Sequence, residues 1–490
     1  MPSRFARFAN GVRIDETRIP LHAPAELRRA VVDGCQEGAR LVALFARPFE
    51  KGFRLHAVLA DDYDGRLAAA AADLDGARPR WPSLTPDLPE AHWFERELLE
   101  EHGIEPEGHP WPKAIRRERG ADYYRVEGDE VHEVGVGPVH AGIIEPGHFR
   151  FQCHGEEVLH LEIQLGYQTR GVERILERPG LKPSRAALVV ETIAGDSSIA
   201  HALACATAVE ALAGIEAPPR AQVLRAIALE LERLANHTGD LANISVGIAF
   251  VPGSAWFGRL RGEFLNLTQE LCGSRYGRGF IRPGGTLFDL DAGAARAAGR
   301  RVAAARDELR RLADLFFETP SVVARLERTG CVARDAAEDL GLVGPAARAS
   351  GIDRDVRRDH PTGAFRFAHI PVAVAETGDV HARCLVRRLE AERSLAFLEA
   401  ELARLPDGPT LRPCPPPAPG ALAVGLAEGF RGETVHALVT GAGGEVLRHK
   451  VVDPSFHDWF GLALALRGEA ISDFPLCNKS FNLSYAGHDL

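Results

Sequence analysis

Cysteine and methionine are scarce in this 490-residue sequence: there is one methionine, and the eight cysteines include no Cys-x-x-Cys pair. Cys35, Cys153, Cys205, Cys272, Cys331, Cys384, Cys414 and Cys477 are scattered along the chain. Such a set argues against a disulfide framework. It also argues against a zinc ribbon or an iron–sulfur cluster held by this chain, because both need clustered thiolates. No apolar run reaches the roughly 18 residues that would cross a bilayer. The segment Met1 to Phe8 has arginines but no apolar core behind them, so no signal peptide is expected. An excess of positive charge is missing as well. Lys+Arg total 58 against Asp+Glu 68, a net charge of −10, which disfavours a nucleic-acid binder. No Gly-x-Gly-x-x-Gly follows a strand pattern, so nothing points to direct NAD binding.

What remains is ordinary for a globular chain, with 45% hydrophobic and 26% charged residues. The length suits one large core or two to three smaller ones. Leu41–Ala46 and Phe53–Ala60 are strand-length apolar runs separated by the turn-like Pro48–Gly52. Ala91–His102 predicts a helix, and Pro106 and Pro110 prevent its continuation. A small α+β domain over 1–120 is expected, then a charged linker over 121–135, then a large domain over 136–490. Phe149–Leu165 alternates as a hairpin around His154-Gly155-Glu156-Glu157. Long helices are predicted over Arg220–Leu241, Ala294–Phe317 and Val380–Leu405 from apolar residues near 3.6 spacing. After the Pro-rich Arg412–Pro419 come strand-like Ala421–Leu426 and Thr434–Thr440, then a helix near Trp459–Leu466.

Three stretches carry a family resemblance. His92-Trp93-Phe94-Glu95-Arg96-Glu97-Leu98-Leu99-Glu100-Glu101-His102, continuing to His109-Pro110, resembles the signature of the small hydrophilic subunit of complex I. Gly137-Pro138-Val139-His140, Glu145-Pro146-Gly147-His148 and Leu165-Gly166-Tyr167-Gln168-Thr169-Arg170-Gly171-Val172-Glu173-Arg174 resemble the opening of the family shared by nickel–iron hydrogenase large subunits and the quinone-site subunit of complex I. The remainder, including Glu230-Leu231-Glu232-Arg233-Leu234, Gly344–Gly351 and the tail to Leu490, is similar to the same family. The order, small subunit fused to large subunit, resembles the large subunits of formate hydrogenlyase and related membrane-bound hydrogenases. The resemblance implies an α+β fold: a small N-terminal α+β domain, then a large, mainly helical domain with peripheral β-hairpins.

The same resemblance exposes a contradiction. The family's nickel and iron sit on four thiolates, in Glu-x-x-Cys-Gly-x-Cys and Asp-Pro-Cys-x-x-Cys motifs. The matching positions here are Ala194, Ser197, Ser484 and Gly487. Alanine and glycine offer no side-chain ligand, and a serine hydroxyl suits soft metals poorly. No nickel–iron centre is expected, and the ending Tyr485–Leu490 offers no cysteine on which metal-dependent maturation could act. Cys477 stands seven residues before Ser484, too far to substitute, and is read as a small buried hydrophobe.

Other site residues come from the resemblance with two readings each. His140 matches the loop histidine of a quinone clamp, or is a loop histidine bonded locally. The clamp's tyrosine position falls on Gly195, and none of Ala194–Ser198 is aromatic. Asp196 offers a carboxylate to the same cavity, or caps a turn or helix. Glu173 matches the family's proton-transfer carboxylate, or forms a salt bridge to a neighbouring arginine. His201, Glu232, Arg233 and His237 are expected to face the same region. Asp353–Pro361 resembles a loop lining the interface with an iron–sulfur subunit, or is a solvated charge run.

The resemblance implies a subunit of a membrane-associated, complex I-like or hydrogenase-related respiratory oxidoreductase, working only within its complex. Its expected partners are an iron–sulfur small subunit, which would carry the cluster, and membrane-arm subunits. The expected place is the cytoplasmic face of the cell membrane. It would couple electron transfer, with a quinone-like molecule as acceptor, to proton or ion movement; NAD would be handled by another subunit. One alternative is a non-catalytic coupling subunit with a sealed cavity; another, an active hydrogenase large subunit, would be rescued only by nickel found in the purified protein. An open cavity lined by His140, Glu173 and Asp196 would favour the first. A packed one around Ala194, Ser197, Ser484 and Gly487 would favour the second.

Overall fold

The protein is described by a computed structural model covering residues 4–116, 123–142 and 144–490. Helices and several separate, mostly antiparallel sheets make a mixed α+β fold. The N-terminal unit is built on three antiparallel strands, β1 (Arg40–Phe49), β2 (Gly52–Asp61) and β3 (Arg66–Leu74). The two expected apolar runs form the β1–β2 hairpin. β3 contains Ala68–Ala72, a run with little intrinsic strand preference. It is held extended because β2 pairs along one edge and Ala6–Phe8 and Leu21–His22 pair along the other.

Helix α1 (His92–His102) ends at Gly103, whose φ of 66° lets the chain turn where a side chain would be strained. Its Glu95 is fully buried and gathers donors from the segment before the helix. Trp81 Nε1 (2.8 Å), Ser83 Oγ (2.6 Å), Thr85 Oγ1 (2.6 Å) and the amides of Leu84 (2.6 Å) and Thr85 (3.2 Å) all donate to it.

The charged connector expected over 121–135 begins at residues 121 and 122, which lie outside the described residues. Its end is not a connector but part of a strand, β4 (Val131–Val136). β4 pairs with β5 (His148–His154), which forms the expected hairpin with β6 (Glu157–Gln164). The long helices come next: α2 (Ser198–Ala213), α3 (Pro219–Gly247), α4 (Val251–Cys272), α5 (Ala292–Glu318) and α6 (Val380–Ala403). No helix among the described residues is long and apolar enough to cross a membrane.

A final sheet joins β7 (Ala421–Gly429), β8 (Gly432–Thr440) and β9 (Val446–Val452), before helix α7 (Pro454–Ala465). β7 and β8 are buried at every position. Ile14–Asp15, from the N-terminal unit, pairs along the outer edge of β7. The two units therefore share a sheet, which no local pattern in either one announces. Helix α2 lies directly on β7: a Cβ on Gly425 would stand 2.0 Å from the Ala204 carbonyl oxygen. Only glycine permits that approach, and it fixes the height of α2 over the sheet.

The buried carboxylate of Glu95 makes a test of the N-terminal unit. Glu95→Ala leaves its donors unpaired and lowers stability by about 3 kcal/mol, read as a shifted denaturant midpoint. An unchanged midpoint would show that another contact holds the 81–85 segment.

Candidate functional site

The four positions that match the family's metal ligands converge. Ala194 and Ser197 lie just before α2, and Ser484 and Gly487 lie in and beside the last helix, Tyr485–Asp489. All four are buried. Ala194 has no side-chain ligand atom, and the other three have taken uses that do not suit a metal site. Ser484 Oγ accepts from the Gly487 amide at 2.9 Å and so caps the last helix. Its own amide donates to Ser455 Oγ at 2.9 Å. A Cβ on Gly487 would meet the Asp453 carboxyl carbon at 2.5 Å. The space of a fourth thiolate is thus occupied by a carboxylate.

Ser197 Oγ accepts from Arg431 Nη1 at 3.1 Å. The same guanidinium forms a bidentate pair with Asp196 at 2.6 and 2.8 Å, and its Nε donates to the Asn482 carbonyl. Arg431 therefore bridges the segment of the first lost ligand pair to that of the second. It sits in the tight connection between β7 and β8, which aims its side chain at the N-terminus of α2. Asn482 adopts φ 51° and is held by Asp240, whose other oxygen takes Arg387 Nε at 2.8 Å. The ring of charges is neutralised pair by pair. Burial opposes the charge on Arg431, but Asp196, Asp453 and Asp240 hold its pKa well above the ordinary value.

The donor set does not fit a nickel–iron centre. There is no thiolate, one hydroxyl is a helix cap, and a guanidinium stands between the two ligand pairs. Elsewhere Cys205, His436 and His449 bring ligand atoms within 4.8 Å of one another. Both nitrogens of His436 are already spent on hydrogen bonds to histidines, and burial pushes the Cys205 thiol up to about 12. That cluster is a hydrogen-bonded core rather than a ready thiolate site.

The expected site residues are not brought into one cavity. His140 Nε2 is bonded to the Gly147 carbonyl at 2.9 Å, the local reading of this loop histidine. Asp196 does not cap a turn with its side chain but pairs with Arg431. Glu173 lies apart from both, buried beside Arg448 (2.7 Å) and Lys450 (3.2 Å), and accepts from the Val451 amide at 2.8 Å. Burial raises its pKa, but the two cations outweigh burial and hold it below the ordinary value. It is a paired carboxylate rather than a protonated one. Among the described residues no hydrogen bond or ion pair joins any two of His140, Asp196 and Glu173.

The remaining expected residues are internal. His201 donates to Asp453, and Glu232 accepts from the Ile199 and Ala200 amides at the start of α2. Arg233 and His237 both reach Glu390, at 3.3 and 2.8 Å. The run 353–361 is not a solvated charge run throughout, since Arg357 and Asp355 are buried and Arg357 pairs with Glu230 at 3.0 Å. Arg431, Asp453 and His436 were missed from sequence. The signal for His436 was available: a histidine inside the continuous apolar run Val435–Val439 must find a buried partner.

Occupation of the fourth ligand space by Asp453 can be measured. Gly487→Ala destabilises the protein by about 1–3 kcal/mol through overpacking. The same change costs less in an Asp453→Ala background, as a double-mutant cycle reads directly. Equal costs in both backgrounds would place the carboxylate elsewhere.

Two family models match the chain. "Respiratory-chain NADH dehydrogenase, 30 Kd subunit" matches residues 33–125, and "Respiratory-chain NADH dehydrogenase, 49 Kd subunit" matches residues 248–419. Formate hydrogenlyase subunit 5 of Escherichia coli is 31% identical, over 85% of this chain and 78% of that one. Carbon monoxide-induced hydrogenase of Rhodospirillum rubrum is 30% identical, over 72% and 97%. NADH-quinone oxidoreductase subunit 4 of Thermus thermophilus is 31% identical, over 70% and 90%. Among solved structures, a chain of the membrane-bound sulfane sulfur reductase, an archaeal respiratory membrane complex, superposes with a TM-score of 0.69. It is 25% identical and is matched over its whole length by 75% of this chain. The chain belongs to the family that joins 30 kDa-type and 49 kDa-type subunits of respiratory-chain NADH dehydrogenase with the large subunits of formate hydrogenlyase-type hydrogenases.

Proposed function

We propose that this chain is a subunit of a membrane-bound, complex I-like, hydrogenase-related respiratory complex, and that it couples redox change in an iron–sulfur partner to proton or ion movement without a nickel–iron centre. The observation that carries this reading is Arg431. Its guanidinium occupies the junction of the two ligand pairs, and the Asp453 carboxylate fills the fourth ligand space. The sequence posed a choice between an open cavity and a packed one, and Arg431 with Asp453 supports the packed one. Hydrogen chemistry and a quinone head group would both need the space these side chains fill. A buried, partnered ion cluster is instead a charge-sensitive element. A change of charge in a neighbouring subunit shifts its protonation equilibria, because Coulomb interactions are strong where water is scarce.

Asp196 supports a partner on this side. Its side chain is 31% exposed although it neutralises a buried arginine, so one edge of the cluster reaches the surface. The docking partner would be the iron–sulfur subunit, and the peripheral placement at the cytoplasmic membrane face follows from that assembly.

The test is purification of the intact complex through a tag on this chain, followed by metal analysis and reconstitution into vesicles. Electrons are supplied as reduced methyl viologen, with decylubiquinone as an acceptor that would have to be reduced outside this sealed centre. The expected complex contains an iron–sulfur protein, carries no stoichiometric nickel and evolves no hydrogen. Arg431→Met uncouples proton movement from electron transfer. Stoichiometric nickel, or hydrogen evolution, would overturn the metal-free reading. Failure to co-purify with any iron–sulfur protein would overturn the assignment as a subunit.

A further inference from the structure

The buried arginines of this molecule answer their charge in one of two ways, and Arg96 fits neither. Arg40, Arg116, Arg348, Arg357 and Arg448 each touch a carboxylate. Arg383 touches none, but its three nitrogens donate to Ser480 Oγ and to the carbonyls of Gly378 and Gly330. Arg96 is only 7% exposed. Its Nε donates to the Lys113 carbonyl at 2.5 Å and its Nη2 to the Ala114 carbonyl at 3.2 Å. Among the described residues no carboxylate pairs with it, and nothing accepts from Nη1. The guanidinium carbon lies 4.6 Å from the centre of the Trp93 ring. Burial pulls the pKa down to about 10, and Glu162 and Glu100 oppose this only from a distance. A dry cation in this state lacks an anion that the chain does not supply.

Arg96 lines a cavity of about 300 Å³ between the two units of the molecule. One side comes from α1, the 109–111 segment and Tyr124, and the other from β6 and α7. Trp93 and Trp459 are buried in its wall. Trp111, Tyr124 and Phe460 line it too and are 41%, 50% and 39% exposed, so aromatic rings continue from the cavity to the surface.

Charge on the rest of the wall cancels. Glu162 pairs with Lys113, and its other oxygen accepts from the Tyr124 amide at 3.0 Å. Burial holds His92, His109 and His160 below the ordinary histidine range, so these three rings are neutral at pH 7. One positive charge is left over. A monoanion balances it, whereas a dianion would leave a buried negative charge in its place.

We propose that this cavity binds a flat aromatic monocarboxylate, with the carboxylate on Arg96 Nη1 and the rings against the aromatic wall. Its volume stands at the low end of small-molecule pockets, roughly 300–1,000 Å³, which suits one or two rings. Aromatic walls favour a flat body over an alkyl chain, because rings stack or meet edge to face. Binding is non-covalent and joins α1 to β6 and α7. The site is separate from the sealed centre, and it stands whether or not the chain couples redox change to ion movement.

The test is calorimetric titration of the full-length chain with 2-naphthoate, and with 2-naphthamide as its uncharged match. The expected result is saturable binding of one naphthoate per chain. The amide binds on the order of tenfold more weakly, and Arg96→Met weakens naphthoate by a similar factor while leaving the amide unchanged. Phe460→Ala weakens both probes alike, by roughly threefold to tenfold. No naphthoate binding at millimolar concentration, or equal binding of acid and amide, would overturn the site. Naphthoate binding that is unchanged in Arg96→Met or in Phe460→Ala would overturn it too. Decanoate binding as tightly as naphthoate would overturn the aromatic class. Naphthoate binding that disappears in the purified complex would show the cavity to be a partner's docking pocket and would also overturn the proposal. The acid–amide comparison on the unsubstituted chain decides the matter even if Arg96→Met does not fold.

Discussion

The guanidinium of Arg431 is the contact on which the centre of this molecule depends. It touches Asp196 and Ser197 from one end of the large domain and the Asn482 carbonyl from the other. These segments are nearly three hundred residues apart in the sequence, and in a metal-bearing relative the resemblance would have thiolate–metal bonds join them. A planar cation with five donors is suited to that place, because it can bind a carboxylate bidentately and still reach a hydroxyl and a carbonyl. A lysine would supply one point of charge and leave some of these acceptors without a donor. The positive charge is tolerable in a dry interior only because carboxylates sit around it. Asp196, Asp453 and Asp240 do so from three separate elements, which makes the position of each element conditional on the others.

Backbone geometry prepares that meeting. Gly425 lets α2 rest on β7 at backbone contact, and the sheet then presents Arg431, His436 and His449 to the helix from below. The last residues are fastened independently. Asp489 accepts from the amides of Gly166 and Gln168 at 2.7 and 2.8 Å, and Arg116 donates to the His488 carbonyl at 2.9 and 2.8 Å. A tail held from both sides keeps Ser484 and Gly487 in place without metal bonds.

Most of the elements could be read from the sequence because their signals are local. The β1–β2 hairpin, α1 and the three long helices are set by apolar spacing and by glycine and proline stops. β9 could not be read in this way. Its Arg448-His449-Lys450 centre looks like exposed loop, yet Glu173, Glu177 and Glu97 make those side chains buried partners. The absence of metal ligands was legible, since it needed only residue identity at four positions. What replaced them was not, because Arg431 and Asp453 are distant in sequence from Ser197 and Gly487 respectively, or carry meaning only through a shape that appears on folding. The expected common cavity of His140, Glu173 and Asp196 failed for a related reason. Each of those residues had a stronger partner close by, and pairing with it separated them.

Burial treats the charged and the neutral parts of this centre differently. Arginine and aspartate can stay charged here because opposite charges lie in contact or close by. His436 and His449 have no opposite charge in contact, and burial drives His436 far below, and His449 to about 4, from the ordinary histidine range. A chain of neutral rings costs little to bury when every nitrogen within it has a partner. Holding a proton on the middle ring would be expensive, since its neighbours are neutral and water is excluded. The same desolvation keeps the line neutral, so its hydrogen bonds fasten α2 to β8 and β9 without any charge that would need a partner.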